Sequence, residues 1–331
     1  MSTTTLVHFV VFGAGAVLGA GIASQVNRNW RVPPSVPLPP ASVVEKLPST
    51  RDDLGPVLKY SSPGPIFDVL RRKAYVAAYD RKLRHPAWTA EHLTASSLPR
   101  GSDGPDGKPH ADRGKSVFVE DEIIPVAFRA RLTDYFRSGY DRGHMVPAAD
   151  AKASQDAMDE TFLLSNIAPQ VGSGFNRHYW AYLEHWCRTL TSQYSDVFVF
   201  TIPLYLPQQS ADGKWRVTYE VIGSPPNISV PTHFAKVVLT SKPASPSTPN
   251  IMDHSLGAFV LPNALIPDEA PLETFIMPVE AVERASGLTL FSQDLKTSAR
   301  HICKTSSCQL VIRRFDDAQK QTRGRKMIAS S

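Results

Sequence analysis

The sequence predicts a globular domain of the α+β class, and two kinds of apolar segment support this prediction. Residues 197–206 form an almost uninterrupted apolar run, which is typical of a buried strand. In residues 175–193, aromatic and apolar side chains instead recur at helical spacing, which indicates an amphipathic helix. Because the two kinds of segment follow one another without a strict β-α alternation, the pattern favours α+β over a doubly wound parallel sheet.

The other elements can be assigned in chain order from composition and spacing. We predict a strand at 75–79, a surface loop at 98–115, strands at 217–222, 234–240 and 258–261, a Pro/Ser loop at 241–250, and a helix at 274–286. Asn176 stands near the start of the helix at 175–193, where asparagine is favoured as a cap.

The N-terminus differs in composition from the rest of the chain. Residues 6–23 are apolar and carry no formal charge, which is close to the minimum length for crossing a bilayer. No acidic residue precedes Glu45, a bias typical of mitochondrial import. We therefore predict a targeting and membrane-anchor segment at 1–32 and a Pro-rich linker at 33–58. A cleaved secretory signal peptide is the alternative, although the basic n-region is missing.

The overall composition permits some functions and argues against others. The chain has 331 residues, 42% of them hydrophobic, and a formal net charge of +5, which allows a polyanionic partner without requiring one. Three cysteines cannot form a disulfide framework, and no CxxC pair suggests a cysteine zinc site. Cys303 and Cys308 could pair in an oxidising compartment, but their spacing alone does not decide it.

The tetrapeptide DRGH at 141–144 is the main candidate for a site. A histidine titrates near neutrality and can accept a proton from water, so His144 is a candidate general base. Arg142 offers a fork of donors that fits phosphate oxygens, and Gly143 would let a bulky ligand approach the backbone. The alternative is a surface turn, because a second DRG at 112–114, without a following histidine, shows that this composition is common in turns.

Two residues of the long helix are candidate metal ligands. A phosphodiesterase needs charge neutralisation at the leaving oxygen, which a hard divalent cation supplies. Asn176 and Glu184 are eight residues apart, about 12 Å of helical rise, so both cannot bind one small ion directly. One direct ligand and one acting through water is feasible, since Mg²⁺ commonly keeps several waters. The alternatives are a helix cap for Asn176 and a solvated helix residue for Glu184.

Several segments in one order resemble the DNA/RNA non-specific endonucleases of the ββα-metal (His-Me finger) type, mitochondrial members in particular. They are YDRKLRHPAW at 79–88, SGYDRGHMVPAAD at 138–150, LLSNIAPQ at 163–170, GFNRHYWAYLE at 174–184, PLYLP at 203–207, VTYEVIG…VPTHFAKVVL at 217–239 and FIMPVEAVERASGL at 275–288. The resemblance implies a ββα-metal endonuclease fold, with a mixed central sheet flanked by helices, in a nuclease domain at 59–318. A basic tail follows at 319–331.

The resemblance also implies roles for individual residues. His144 resembles the general base, Arg142 a phosphate-contacting arginine, and Asn166 the asparagine that supports the site near the base. Asn176 resembles the direct ligand of a single Mg²⁺ or Mn²⁺, and Glu184 the carboxylate that holds a metal-bound water.

Asp141 matches the motif and is expected to be structural. The family uses an arginine upstream of DRGH, for which Arg81, Arg84 and Arg131 are candidates.

The activity implied is hydrolysis of DNA and RNA, single- or double-stranded, to 5′-phosphate products with little base preference. The resemblance further implies a homodimer in the mitochondrion, at the inner membrane through residues 6–23, with the domain in the intermembrane space. Two alternatives remain. One is a catalytically silent nucleic-acid-binding protein of the same fold, and the intact His144, Asn176 and Glu184 argue against it. The other is a structural inner-membrane protein with a turn at DRGH.

Overall fold

A computed structural model describes residues 67–99 and 110–312, and a mixed sheet of eight strands lies at its centre. The strands run in the order β1-β2-β3-β6-β11-β12-β13, and β14 pairs with β12 in parallel. The segments predicted at 1–32, 33–58 and 319–331 lie outside the described residues, and the limits 59–318 stay a prediction. Within the described ranges, no helix is long and apolar enough to cross a bilayer.

Fourteen strands and five α-helices occur in the described ranges. The strands are β1 (Phe67–Arg71), β2 (Tyr75–Asp80), β3 (His85–Leu93), β4 (Asp141–His144), β5 (Ile167–Gln170), β6 (Asp196–Leu204), β7 (Gln208–Gln209), β8 (Trp215–Arg216), β9 (Val221–Ile222), β10 (Ile228–Ser229), β11 (His233–Ser245), β12 (Thr248–Pro262), β13 (Ile276–Met277) and β14 (Arg300–His301). The helices are α1 (Gln155–Glu160), α2 (Trp180–Thr189), α3 (Val279–Ser286), α4 (Gln293–Ser298) and α5 (Ile302–Thr305).

The central sheet is covered on both faces, because side chains alternate along each strand. On β11, Phe234 and Val238 face a core that includes α2, whereas Ala235 and Val237 face a second core. Helices α3 and α4 pack on that second face. This two-sided arrangement is α+β, as the sequence predicts. It places α2, the helix that carries Glu184, directly against the sheet.

Three element predictions differ from the structure, and the clearest is the loop predicted at 241–250. These residues form the far end of the β11–β12 hairpin, with a bulge between Pro243 and Ser245. The pairing of β6 with β11 stops at Ser241, so beyond that point β11 has no second neighbour. Pro243 therefore lies where a missing N–H removes no hydrogen bond to another strand.

The other two differences have local causes. Of the strand predicted at 217–222, only Val221 and Ile222 pair, in the short β9–β10 ribbon. Residues that favour strands form one only where a partner strand lies beside them. The helix predicted at 274–286 begins only at Val279. Pro278 stands at its N-cap, and β13 precedes it.

The structure also shows which cysteines are paired. Cys303 and Cys308 form a disulfide, with Cα atoms 5.2 Å apart. Cys187 is a free, buried thiol on α2.

Candidate active site

The DRGH tetrapeptide is a strand and not a turn. As β4 it pairs antiparallel with β5, so that Asp141 faces Gln170 and His144 faces Ile167. Alternation along the strand separates the four side chains into two pairs. Arg142 and His144 both lie against Phe118, whereas the Asp141 side chain contacts Asn176.

Gly143 is required by packing inside the protein. A Cβ atom at this position would lie 2.2 Å from the side chain of Gln170, which is fully buried. The expectation that Gly143 opens the backbone to a bulky ligand is therefore wrong. The space is filled by the partner strand's own glutamine, so the glycine sets the close approach of β4 and β5.

His144 is buried and has a free nitrogen. Its ring contacts Phe162 edge-on, with centroids 4.7 Å apart, and its side chain has 8% relative exposure. Nε2 has no hydrogen-bond partner among the described residues. Burial, together with the charge of Arg113, lowers the pKa of His144 to about 3. The imidazole therefore favours its neutral form, in which one ring nitrogen carries a lone pair.

Asn166 holds the chain just after His144. Its side-chain amide accepts from the Val146 N–H at 3.1 Å and donates to the carbonyls of Val146 and Thr161, at 3.0 and 2.8 Å. Its own carbonyl accepts from the Met145 N–H. Both amide hydrogens of Asn166 are engaged by backbone and the residue has no exposed surface, so its side chain fixes the chain after His144.

Arg142 extends into solvent from the same face of β4 as His144. Its guanidinium carbon lies 4.4 Å above the ring centroid of Phe118, close enough for a cation–π contact. Stacking on an aromatic face leaves the in-plane N–H groups free, and those are the groups that bind phosphate. Arg142 is exposed and forms no ion pair within the described ranges.

The second DRG contributes an arginine to this region. Asp112 caps a one-turn 3-10 helix, as its turn composition indicates, and Arg113 then reaches over Phe162, 5.3 Å from the ring centroid. Burial is the larger cause at both groups, and the charge of Arg113 adds to the lowering of the His144 pKa and opposes the rise of the Glu184 pKa.

The three predicted upstream arginines lie elsewhere. Arg81 pairs with Asp68, Arg84 binds Asn227 and a backbone carbonyl, and Arg131 caps a 3-10 turn. Which arginine upstream of DRGH serves the site stays a prediction, and Arg113 joins the candidates because its charge acts on His144. Arg113 was not among the predicted site residues, because DRG at 112–114 is a common turn composition and lacks a following histidine.

Asp141 ties the strand to the candidate metal ligand. Its carboxylate accepts from Asn176 Nδ2 at 2.9 Å and from Arg177 Nε at 2.7 Å. Partial burial opposes ionisation, but these hydrogen bonds outweigh it and lower the pKa of Asp141. The contact also orients Asn176: with Nδ2 held by a carboxylate, Oδ1 is the amide atom that remains available to a cation.

Asn176 is not a helix cap. It lies inside a wide, π-type helical segment, Gly172–Tyr179, whose backbone is irregular at Ser173 and Gly174. Its N–H bonds the carbonyl of Val171, five residues back. Such wide turns occur often at functional sites because they displace one side chain from the regular helical surface. Here the segment directs Asn176 towards Asp141.

Glu184 lies on α2, two turns beyond Asn176. Burial raises the pKa of Glu184 to about 7, although the charges of Lys236 and Arg188 oppose the rise. The carboxylate is half-buried. Its pKa lies close to the pH of the cell. A bound divalent cation would favour the ionised form and so lower this pKa.

A layer of buried charges lies beneath α2. Lys236 is almost fully buried; its ammonium donates to Thr201 at 2.9 Å and lies 4.7 Å from the Trp180 ring. Arg188 donates to Asp150 at 2.6 Å. Neither residue was singled out from the sequence, although Arg188 follows Glu184 by one helical turn and therefore shares its face.

The donor set suits a cation that keeps most of its water. Among the described residues, no group of three or more His, Cys, Asp and Glu side chains could hold a metal. One amide oxygen and one nearby carboxylate fit hydrated Mg²⁺ or Mn²⁺ better than Zn²⁺, which favours nitrogen and sulfur ligands.

Comparison with known proteins identifies the family. Residues 54–297 match the DNA/RNA non-specific endonuclease family. The chain belongs to this family. It is 48% identical over 272 residues to the mitochondrial nuclease of Saccharomyces cerevisiae, covering 82% of this chain and 80% of that protein. To mitochondrial endonuclease G of Bos taurus it is 38% identical over 291 residues, 83% of this chain and 91% of that protein.

A solved structure confirms the fold class. The chain superimposes on endonuclease G from a crystal structure of its complex with the inhibitor EndoGI, with a TM-score of 0.64 and 43% identity. The match covers 74% of this chain and 94% of the other. The protein is therefore an α+β nuclease of this family, an enzyme that cleaves phosphodiester bonds.

Proposed function

We propose that this enzyme is a metal-dependent, sequence-non-specific mitochondrial endonuclease that cleaves DNA and RNA to 5′-phosphate products. The observation that carries the proposal is the neutral, buried imidazole of His144, whose unpartnered Nε2 lies on the same strand face as the exposed Arg142. A base beside a phosphate-binding cation is the minimum requirement for activating water against a phosphodiester.

In the proposed reaction, His144 takes a proton from water as the water oxygen attacks phosphorus. The bond from phosphorus to the 3′ oxygen breaks, which leaves the phosphate on the 5′ carbon of the next nucleotide. Burial of the imidazole keeps it unprotonated before attack, so proton transfer requires no prior loss of a proton. Asn166 fixes the backbone after His144 and thereby the direction of the ring.

A single Mg²⁺ or Mn²⁺ would be held directly by Asn176 Oδ1 and through water by Glu184, and it would neutralise charge on the leaving oxygen. Arg142 and Arg113 would bind the phosphate oxygens from the other side of the site. Arg188 is a positioning residue in this scheme, because it is engaged by Asp150.

Low sequence selectivity follows from the chemistry of the contacts. Arginines that bind phosphates read no base edges, so they carry no sequence information. Binding should then weaken as salt concentration rises, because each neutralised phosphate releases a counterion. The net charge of +5 is in keeping with such a substrate.

The names of the relatives support mitochondrial localisation. We propose an inner-membrane anchor through residues 6–23 with the domain in the intermembrane space. The full chain should be imported into isolated mitochondria, and a chain that lacks residues 1–32 should not. We also propose a homodimer, which sedimentation equilibrium tests directly: a monomer mass at micromolar protein would contradict it.

Plasmid cleavage tests the catalytic assignment. The wild type should nick supercoiled DNA with Mg²⁺ or Mn²⁺ and stop in EDTA, and His144→Ala should lose at least about a hundredfold in rate. His254→Ala, on the β11–β12 hairpin, is the matched control and should cut normally. If His144→Ala cuts as fast as the wild type, the base is misassigned. If the wild type binds DNA without metal-dependent nicking, the silent nucleic-acid-binding protein is the better description.

A further inference from the structure

A groove beside the DRGH strand has no role in the scheme above. It is a cavity of about 270 Å³ whose wall is formed by residues 132–142, including Tyr135, Phe136, Arg137 and Tyr140. Asp141 and Arg142 also line it, so it adjoins the strand face on which we propose that phosphate binds. A cube of that volume has an edge of about 6.5 Å, room for one planar ring beside an aromatic wall but not for a base-paired duplex.

The aromatic wall is exposed and held in a fixed conformation. Phe136 is 72% exposed, which is unusual for a residue whose burial would be favourable. The turn that presents it is closed by Ser138, whose hydroxyl donates to the Tyr135 carbonyl at 3.0 Å and accepts from the Tyr140 N–H at 3.2 Å. Arg137 adopts a left-handed backbone with φ of 55°, a conformation that costs free energy in a non-glycine residue.

The groove is positively charged. Arg137 stacks over Phe136 at 5.1 Å, and neither it nor Arg142 forms an ion pair among the described residues. The one lining carboxylate, Asp141, is already neutralised by Arg177.

We propose that this groove binds the nucleotide next to the scissile phosphate, with its base stacked on Phe136 and its own phosphate bound by Arg137. The inference rests on the proposed function and adds a subsite to it. An aromatic face stacks on any base, so the subsite would be sequence-tolerant. It requires a base that is free to leave its neighbours, so single strands would use it and intact duplexes would not.

The first test measures binding without catalysis. Fluorescence anisotropy of a single-stranded oligonucleotide is followed in EDTA, with His144→Ala as the parent protein. Adding Phe136→Ala should raise Kd by roughly 5- to 150-fold, the range expected for one stacked base. Phe136→Trp should bind at least as tightly as the parent. Phe67→Ala removes a half-exposed phenylalanine from the edge strand β1 and is the matched control, expected to leave Kd unchanged.

The second test localises the effect to a base. In otherwise wild-type protein with Mg²⁺, Phe136→Ala should raise KM for single-stranded DNA and leave kcat and duplex cleavage unchanged. On a strand with abasic sites beside the cleaved bond, Phe136→Ala and wild type should have equal KM.

The outcomes separate the two proposals. The subsite is overturned if Phe136→Ala and its parent have equal Kd, or if Phe136→Ala raises KM equally on abasic and normal strands. In either case, metal-dependent cutting by the wild type would still support the nuclease mechanism. Absence of metal-dependent cutting by the wild type rejects the mechanism, and the anisotropy result still decides the groove.

Discussion

Replacing Glu184 with glutamine should make the metal-free protein more stable while removing activity. The wild-type carboxylate is half-buried, and burial raises its pKa from the ordinary 4.5 to about 7. A group whose pKa is raised on folding is penalised once it ionises. The folded state therefore loses stability as the pH rises from about 4.5 to about 7 and regains none above it, and a neutral glutamine of the same shape avoids that loss.

The magnitude follows from the shift. About 2.5 pKa units between 4.5 and 7 correspond to about 3 kcal/mol at pH 8 and less than about 1 kcal/mol at pH 5. Solvent that still reaches the half-buried carboxylate reduces the value at pH 8 to about 2 kcal/mol. The gain from Glu184→Gln should therefore be present at pH 8 and nearly absent at pH 5.

Urea unfolding in EDTA at the two pH values measures this directly. Glu122→Gln removes an exposed carboxylate and is the matched control; its stability should stay within about 0.5 kcal/mol of the wild type. Plasmid cleavage with Mg²⁺ on the same samples should show Glu184→Gln impaired and Glu122→Gln active. An equal gain at both pH values, or none at pH 8, would refute the claim that ionised Glu184 is destabilising.

Three further substitutions test other parts of the site. Asn166→Ala leaves three buried backbone groups without partners, so it should lower the free energy of unfolding by about 3 kcal/mol and reduce kcat even where the variant is folded. Gly143→Ala should cost about 2 kcal/mol in urea unfolding by displacing Gln170, and adding Gln170→Ala should recover most of it; additive losses would contradict the packing argument. Lys236→Met should destabilise by about 3 kcal/mol and raise the Glu184 pKa further, which shifts the pH–rate profile upward; an unshifted profile would exclude this coupling.

The fold could be predicted where packing and composition agree. The apolar run at 197–206 became β6, and the helical spacing at 175–193 became α2 with its flanking turns. The Pro/Ser segment at 241–250 was mispredicted because its conformation depends on where β6 ends, which is a long-range property. Local sequence shows that proline disfavours a central strand but does not show that the neighbouring strand has stopped.

The site could be predicted as a set of residues but not as a set of contacts. The order of His144, Asn166, Asn176 and Glu184 pointed to the family, and their roles stay predictions. Arg113 could not be found this way, because only the docking of residues 112–119 against Phe162 and its neighbours brings it near the base. Lys236 was missed because a lysine within a strand reads as exposed, whereas this one is enclosed beneath α2.

Because β4 pairs with β5, the active site is sensitive to the insertion or deletion of a single residue in β4. Arg142 and His144 share a face because they are two residues apart on a pleated strand, and Asp141 contacts Asn176 from elsewhere on the same strand. Inserting or deleting one residue between 141 and 144 would exchange the two faces. Either the imidazole would then point away from Phe118, or the carboxylate would lose Asn176. Length changes in this tetrapeptide should therefore be highly damaging to activity.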